Sequence, residues 1–140
     1  VSERGSILPL IAGFAMVCLV LIFGISASTS LLVERARLFS LADSAALHAA
    51  ESFLPRLVTR PASGVVAPVD SAGVRSAVVD YLARVGPGPL EGVRLERALS
   101  PDARTVEVTL SSLWAPPVVS EFLPSSLRIA ATARAQVFIR

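Results

Sequence analysis

The apolar and polar positions of the chain fall into three regimes. From Gly5 to Val33 no Asp, Glu, Lys, Arg or His interrupts the run, and twelve of the nineteen residues from Ile7 to Ile25 are Leu, Ile, Val or Phe. As a helix that span is about 28 Å long, the thickness of a bilayer's hydrocarbon core. Its apolar residues favour insertion by roughly 4–7 kcal/mol before Pro9 and the glycines subtract some. Pro9 is compatible with the first turn if Ser6 lies near the N-cap, because its missing N–H would have had no intrahelical partner there. The "SASTS" stretch at 26–30 is polar but uncharged and marks an interface or a tight helix contact. Gly24 and Ser28, four residues apart, permit close approach of a second helix within a membrane.

Beyond this run the pattern becomes amphipathic. Leu31, Leu38, Ala42, Ala45, Ala49 and Phe53 recur at spacings of 7, 4, 3, 4 and 4, one face of a helix, bulky at its ends and small in the middle. Leu54 before Pro55 predicts the stop. If unbroken, the helix over 7–54 is about 70 Å long. The alanines of "LADSAALHAA" (41–50) let a neighbouring helix or sheet come near, and the face Leu38, Ala42, Ala45 and Ala49 is the candidate assembly face, with Gly24 and Ser28 below it. A helix packed on its own domain satisfies the same pattern.

The third regime is mixed. Residues 55–70 hold three prolines and read as an extended connection. Asp70 or Ser71 can cap a second helix with the face Val74, Ala77, Val78, Tyr81, Leu82 and Val85, ended by "GPGP" at 86–89. Val93, Leu95 and Leu99, then Val106, Val108 and Leu110, alternate around the turn "SPDA" (100–103) and predict a hairpin. A Pro-rich stretch follows, in which Trp114 is expected at a core edge or an interface and Phe122 and Leu123 in a short helical turn. Leu127, Ile129, Ala131, Ala133, Ala135 and Val137 then alternate as a last strand. The expected fold class is α+β: a long N-terminal helix, a second helix and a small antiparallel sheet. The expected organisation is a tail at 1–6, a transmembrane segment at 7–30, a membrane-proximal helix at 31–54, a linker at 55–70 and a small domain at 71–140.

Charge and chemistry narrow the function. The net charge of +2 comes from thirteen arginines, with no lysine, scattered along the chain and not interleaved with aromatics, so nucleic-acid binding has little support. A single cysteine, Cys18, rules out an intrachain disulfide and reads as an apolar filler within the span. A single histidine, His48, sits among alanines and reads as a polar-edge residue. One His and one Cys cannot make a familiar zinc site. Glu91 and Glu96 fall on loop and strand without the spacing of an acid/base pair, and no glycine loop cradles a phosphate. No enzyme activity, cofactor or metal is expected.

The stretch "RGSILPLIAGF" (4–14), the apolar run and "ERARLFSLADSAALHAA" (34–50) resemble the N-terminal region of TadE/TadG-like proteins, which accompany the tight-adherence (Tad, or Flp) pilus machinery. The layout as a whole is similar to that of type IV pilin-like proteins, and "VEVTLSSLWAPPVVSEFLPSSLRIAATARAQV" fits their later strands loosely. The resemblance implies a bacterial, single-pass protein of the cytoplasmic membrane. Its C-terminal domain would lie outside the cytoplasm, with a structural role among other pilus or secretion proteins and room for a homo-oligomer. Prepilin peptidases cut after a Gly with a Glu five residues beyond. Gly5 is the candidate position, but Leu10 stands where that Glu would be, which favours an uncleaved, membrane-retained, TadG-like protein. Two other readings stay open. One is a secreted soluble binding module released by signal-peptide cleavage near Ser28. The other is a single-pass membrane accessory protein unrelated to pili. Charge leaves the orientation nearly tied: Arg4, partly offset by Glu3, flanks one side, and Arg35 and Arg37, offset by Glu34, the other.

Overall fold

The computed structural model of the protein describes residues 7–58, 70–102, 104–117 and 126–136. Its elements run α1 (Leu8–Val58), α2 (Ser71–Val85), β1 (Glu91–Leu99), β2 (Thr105–Trp114) and β3 (Leu127–Gln136). The three strands form one antiparallel sheet in the order β1-β2-β3. This is the α+β layout expected from the alternation of periods. Phe122, Leu123 and Val137 lie outside the described residues, as do residues 59–69 of the Pro-rich connection.

The first helix is a single rod of 51 residues, about 76 Å long. It passes through Pro55 and ends at Val58, not at Leu54. A proline removes one ladder hydrogen bond, here to the carbonyl four residues back, and so near the end only the last turn is affected. The lower part of the rod, with a mean hydropathy of 2.7 in its most apolar window, makes almost no contact with the rest of the chain, and Leu8, Leu10, Phe14 and Ile25 are all exposed. Its length and composition suffice to cross a membrane.

The upper part of α1 lies across β2 and β3 on one face of the sheet, while α2 packs beside it on β1. Leu38, Val74, Val78, Val106, Val108 and Leu110 are fully buried between the layers. Each such side chain contributes roughly 1.5–3 kcal/mol relative to exposure. The sheet supplies Val106, Val108 and Leu110 opposite Ala135, Ala133 and Ala131 of β3. Small residues on β3 thus meet small residues on α1, and two thin surfaces allow helix and sheet to close.

In β2 and β3 the predicted alternation is regular. In β1 it is not. Register shifts between Glu91 and Arg94 and between Leu95 and Arg97 change the phase of the strand. Val93 and Leu95 pack against the core, but Ala98 is the next buried residue, and Leu99 pairs with Glu107 on the other face. Gly92 occupies the first shift with φ +57°, a left-handed conformation that suits a bulge glycine. A Cβ there would lie 2.7 Å from Cδ1 of Leu113.

Both turns around α2 are built by backbone groups. Asp70 is the N-cap by conformation, yet its side chain makes no capping bond; its carbonyl accepts the N–H of Val74. The hydroxyl of Ser71 instead accepts the N–H of Ser100 at 3.2 Å, tying α2 to the end of β1. Gly86, at φ +74°, donates its N–H to the Leu82 carbonyl and ends the helix. Val85, predicted on the core face, is exposed, whereas Val74 and Val78 are fully buried.

Candidate functional site

No compact site presents itself; the surface that matters is the length of α1. Two of its hydroxyls near the top of the apolar run are satisfied within the helix. Ser28 Oγ donates to the Gly24 carbonyl at 2.8 Å and Thr29 Oγ1 to that of Ile25 at 2.9 Å. Hydroxyls bonded in this way need no water, so this stretch can lie against lipid or another helix. Gly24 has open space around it: nothing lies within 4 Å of an added Cβ. Ser28 is likewise exposed. Gly5 lies outside the described residues.

Ser30 ends the series differently. Its Oγ accepts the indole N–H of Trp114 at 3.3 Å, joining the lower end of β2 to the top of the apolar run. Trp114 is 8% exposed and pairs across the sheet with Leu127, which is 60% exposed.

Leu38, Ala42, Ala45 and Ala49 are each 0% exposed, as is Ala46. The face expected to receive partner helices is therefore occupied by the chain's own sheet and α2. The sequence reading found a close-packing surface, but its occupant is intramolecular. What remains open on the upper half of α1 is a second stripe, Leu32, Ala36, Phe39, Asp43 and Leu47, spaced 4, 3, 4 and 4. Leu32 is 67% exposed, Phe39 49% and Leu47 52%. Beside the lower part of this stripe runs a groove of about 640 Å³ along the outer edge of the sheet, its apolar lining of Leu32, Ala36, Phe39, Ala130 and Ala131 flanked by Arg35 and Thr132. The spacing of Leu32, Phe39 and Leu47 could have been read from the sequence. The alanine face masked it, because close packing favours the smaller residues.

The polar clusters have structural explanations. Arg84 Nη2 lies 2.7 Å from His48 Nε2. A guanidinium can only donate, so Nε2 is the acceptor in this contact. Tyr81 lies beside the same ring, centroids 5.2 Å apart. His48 is thus a link between α1 and α2 at their polar edge. On the outer face of the sheet, Ser111 Oγ donates to Glu96 Oε1 at 2.6 Å and accepts from Arg128 Nη1 at 3.0 Å. Arg134 pairs with Glu107 at 2.8 Å. Asp102 organises the hairpin turn: Oδ1 accepts the N–H groups of Arg104 and Thr105, and Oδ2 the hydroxyl of Thr105. These bonds, with the Arg104 N–H the largest, lower its pKa below the ordinary aspartate value. Among the described residues no group of three His, Cys, Asp or Glu side chains is placed to hold a metal.

Compared with known families, residues 5–52 match the model described as Flp pilus-assembly TadE/G-like. The matched segment is about a third of the chain and coincides with most of α1. No curated protein and no solved structure matches the chain significantly. The family match and the membrane-length helix fit a pilus component, structural in character.

Proposed function

We infer that the chain is a membrane-anchored structural component in the assembly of a Tad-type pilus or a related secretion filament. It would act by helix packing and protein contacts and not by catalysis. The observation that supports this reading most directly is the coincidence of the family match with α1. One continuous helix supplies both an apolar, membrane-length lower half and the backbone of the folded domain.

Continuity gives the mechanism. A domain built around the upper half of a rod is held at a fixed height and rotation relative to the lower half, with no flexible joint between them. Gly24 and Ala42 are 18 residues apart, five full turns, so they share one line along the helix. Neighbouring membrane helices would approach through the small residues Gly24 and Ser28. Other pilus proteins, or further copies of the chain, would meet the domain through Leu32, Phe39 and Leu47, the stripe its own core leaves open. In this reading the domain lies on the extracytoplasmic side of the cytoplasmic membrane.

Photo-crosslinking in cells tests this. A photoreactive side chain at position 39 or 47 should capture pilus-assembly proteins or a second copy, whereas one at the buried position 45 should not. Normal piliation in a strain lacking the gene, with no crosslinks from 39 or 47, would contradict the assignment.

A further inference from the structure

The height of the sheet relative to the membrane can be read from α1. From Ile7 to Val33 the helix carries no charge, 27 residues or about 40 Å, close to the full thickness of a bilayer including its headgroup layers. The first ionisable residue on the domain side is Glu34. Ser30 lies four residues, about 6 Å, below it. Because the Trp114 indole is bonded to Ser30, the lower end of the sheet reaches beneath the level of the first charges. There Leu127 projects 60% exposed beside a tryptophan, with Ala115 and Pro117 exposed just after it.

We propose that this end of the sheet is a lipid contact: Leu127 seats in the headgroup layer of the same bilayer that α1 spans, with the buried Trp114 behind it at the same depth. The proposal rests on the membrane-spanning reading of α1 and adds a second, non-helical attachment to it. Indole suits that depth, since it has an apolar body and one polar N–H. Leu127 supplies apolar area just where water gives way to acyl chains. Two attachments side by side, one through the helix and one through the sheet, would resist tilting of the domain about its anchor.

The chain has one tryptophan and one cysteine, so two depths can be read separately. The full chain, labelled with a fluorophore at Cys18, is reconstituted in phosphatidylcholine vesicles whose acyl chains are brominated either near the headgroup or near the methyl end. Trp114 is measured in the native chain. A second variant, Leu127→Trp in a Trp114→Phe background, places the reporter at the exposed tip. The Cys18 label should be quenched most by the deep bromines. Both indoles should be quenched by the shallow ones, roughly twofold more than by the deep ones, as expected of an interfacial aromatic. Quenching at Cys18 with no effect on either indole would overturn the proposal while leaving the span intact. No quenching at Cys18 would remove the span and the lipid contact together.

Discussion

Trp114 and Ser30, 84 residues apart in sequence, meet at 3.3 Å where the apolar run of α1 gives way to the domain. The contact fixes the register between helix and sheet at its lowest point. Above it, Leu38 through Ala50 supply a thin surface on which β2 and β3 lie. The same helix is therefore bare below Ser30 and covered on one face above it, and this division organises the expected effects of substitution.

Ala45→Leu adds bulk on the face of α1 that the sheet and α2 enclose, so it should act on folding before it acts on partners. A loss of about 1–3 kcal/mol is expected from overpacking. Chemical denaturation of the detergent-solubilised protein, followed by far-ultraviolet circular dichroism, measures it. An unchanged midpoint would mean that the alanine face is not enclosed as described.

Gly92→Ala should be comparably damaging for a different reason. The residue is held at φ +57°, and the new methyl would meet the Leu113 side chain. A cost of about 1–3 kcal/mol follows from the backbone conformation alone. The same substitution at Gly13, where nothing lies within 4 Å of an added Cβ, serves as the control and should leave the midpoint unchanged.

Ser112→Ala should stabilise. Its hydroxyl is buried on the core face of β2 with no hydrogen-bond partner among the described residues. Removing an unsatisfied polar atom should raise stability by about 1 kcal/mol, read as a higher denaturation midpoint. A fall in the midpoint would point to a partner for that hydroxyl.

Asp102 predicts an acid dependence of stability. Its folded-state pKa lies below the ordinary value because N–H and O–H groups donate to the carboxylate. The sign follows: the stabilisation is complete above the unfolded-state pKa and is lost as pH falls through the lowered folded-state value. Asp102→Ala should therefore melt at a lower temperature than the parent at neutral pH. The difference should shrink as the solution is acidified below the aspartate range, and a gap independent of pH would contradict this.

The sequence carried the period changes, and with them both helices, the hairpin and the last strand. Charge absence over Gly5–Val33 marked the membrane-length apolar run, and alternation marked β2 and β3. Two features were not legible. The phase change in β1 depends on where bulges fall, and Gly92 alone does not announce that Ala98, not Leu99, will be buried. Nor does periodicity say who occupies a face. Ala42, Ala45 and Ala49 announce close packing, but whether a partner or the chain's own sheet and α2 close on them is decided by residues more than 20 positions away. For the same reason the stripe Leu32, Phe39 and Leu47, legible as a spacing, is known to stay open only once the other face has been filled.

One uninterrupted helix joins the membrane-length apolar run to the folded domain, and the two are expected to stay together in the cell. Mass spectrometry of alkali-washed membranes tests it most directly. The account predicts a membrane-retained species in which Ile7–Ser30 and the sheet residues Thr105–Gln136 belong to one intact chain. A soluble species beginning beyond Ser28, with no counterpart in the membrane, would contradict it and leave an exported domain whose helix had served only for export.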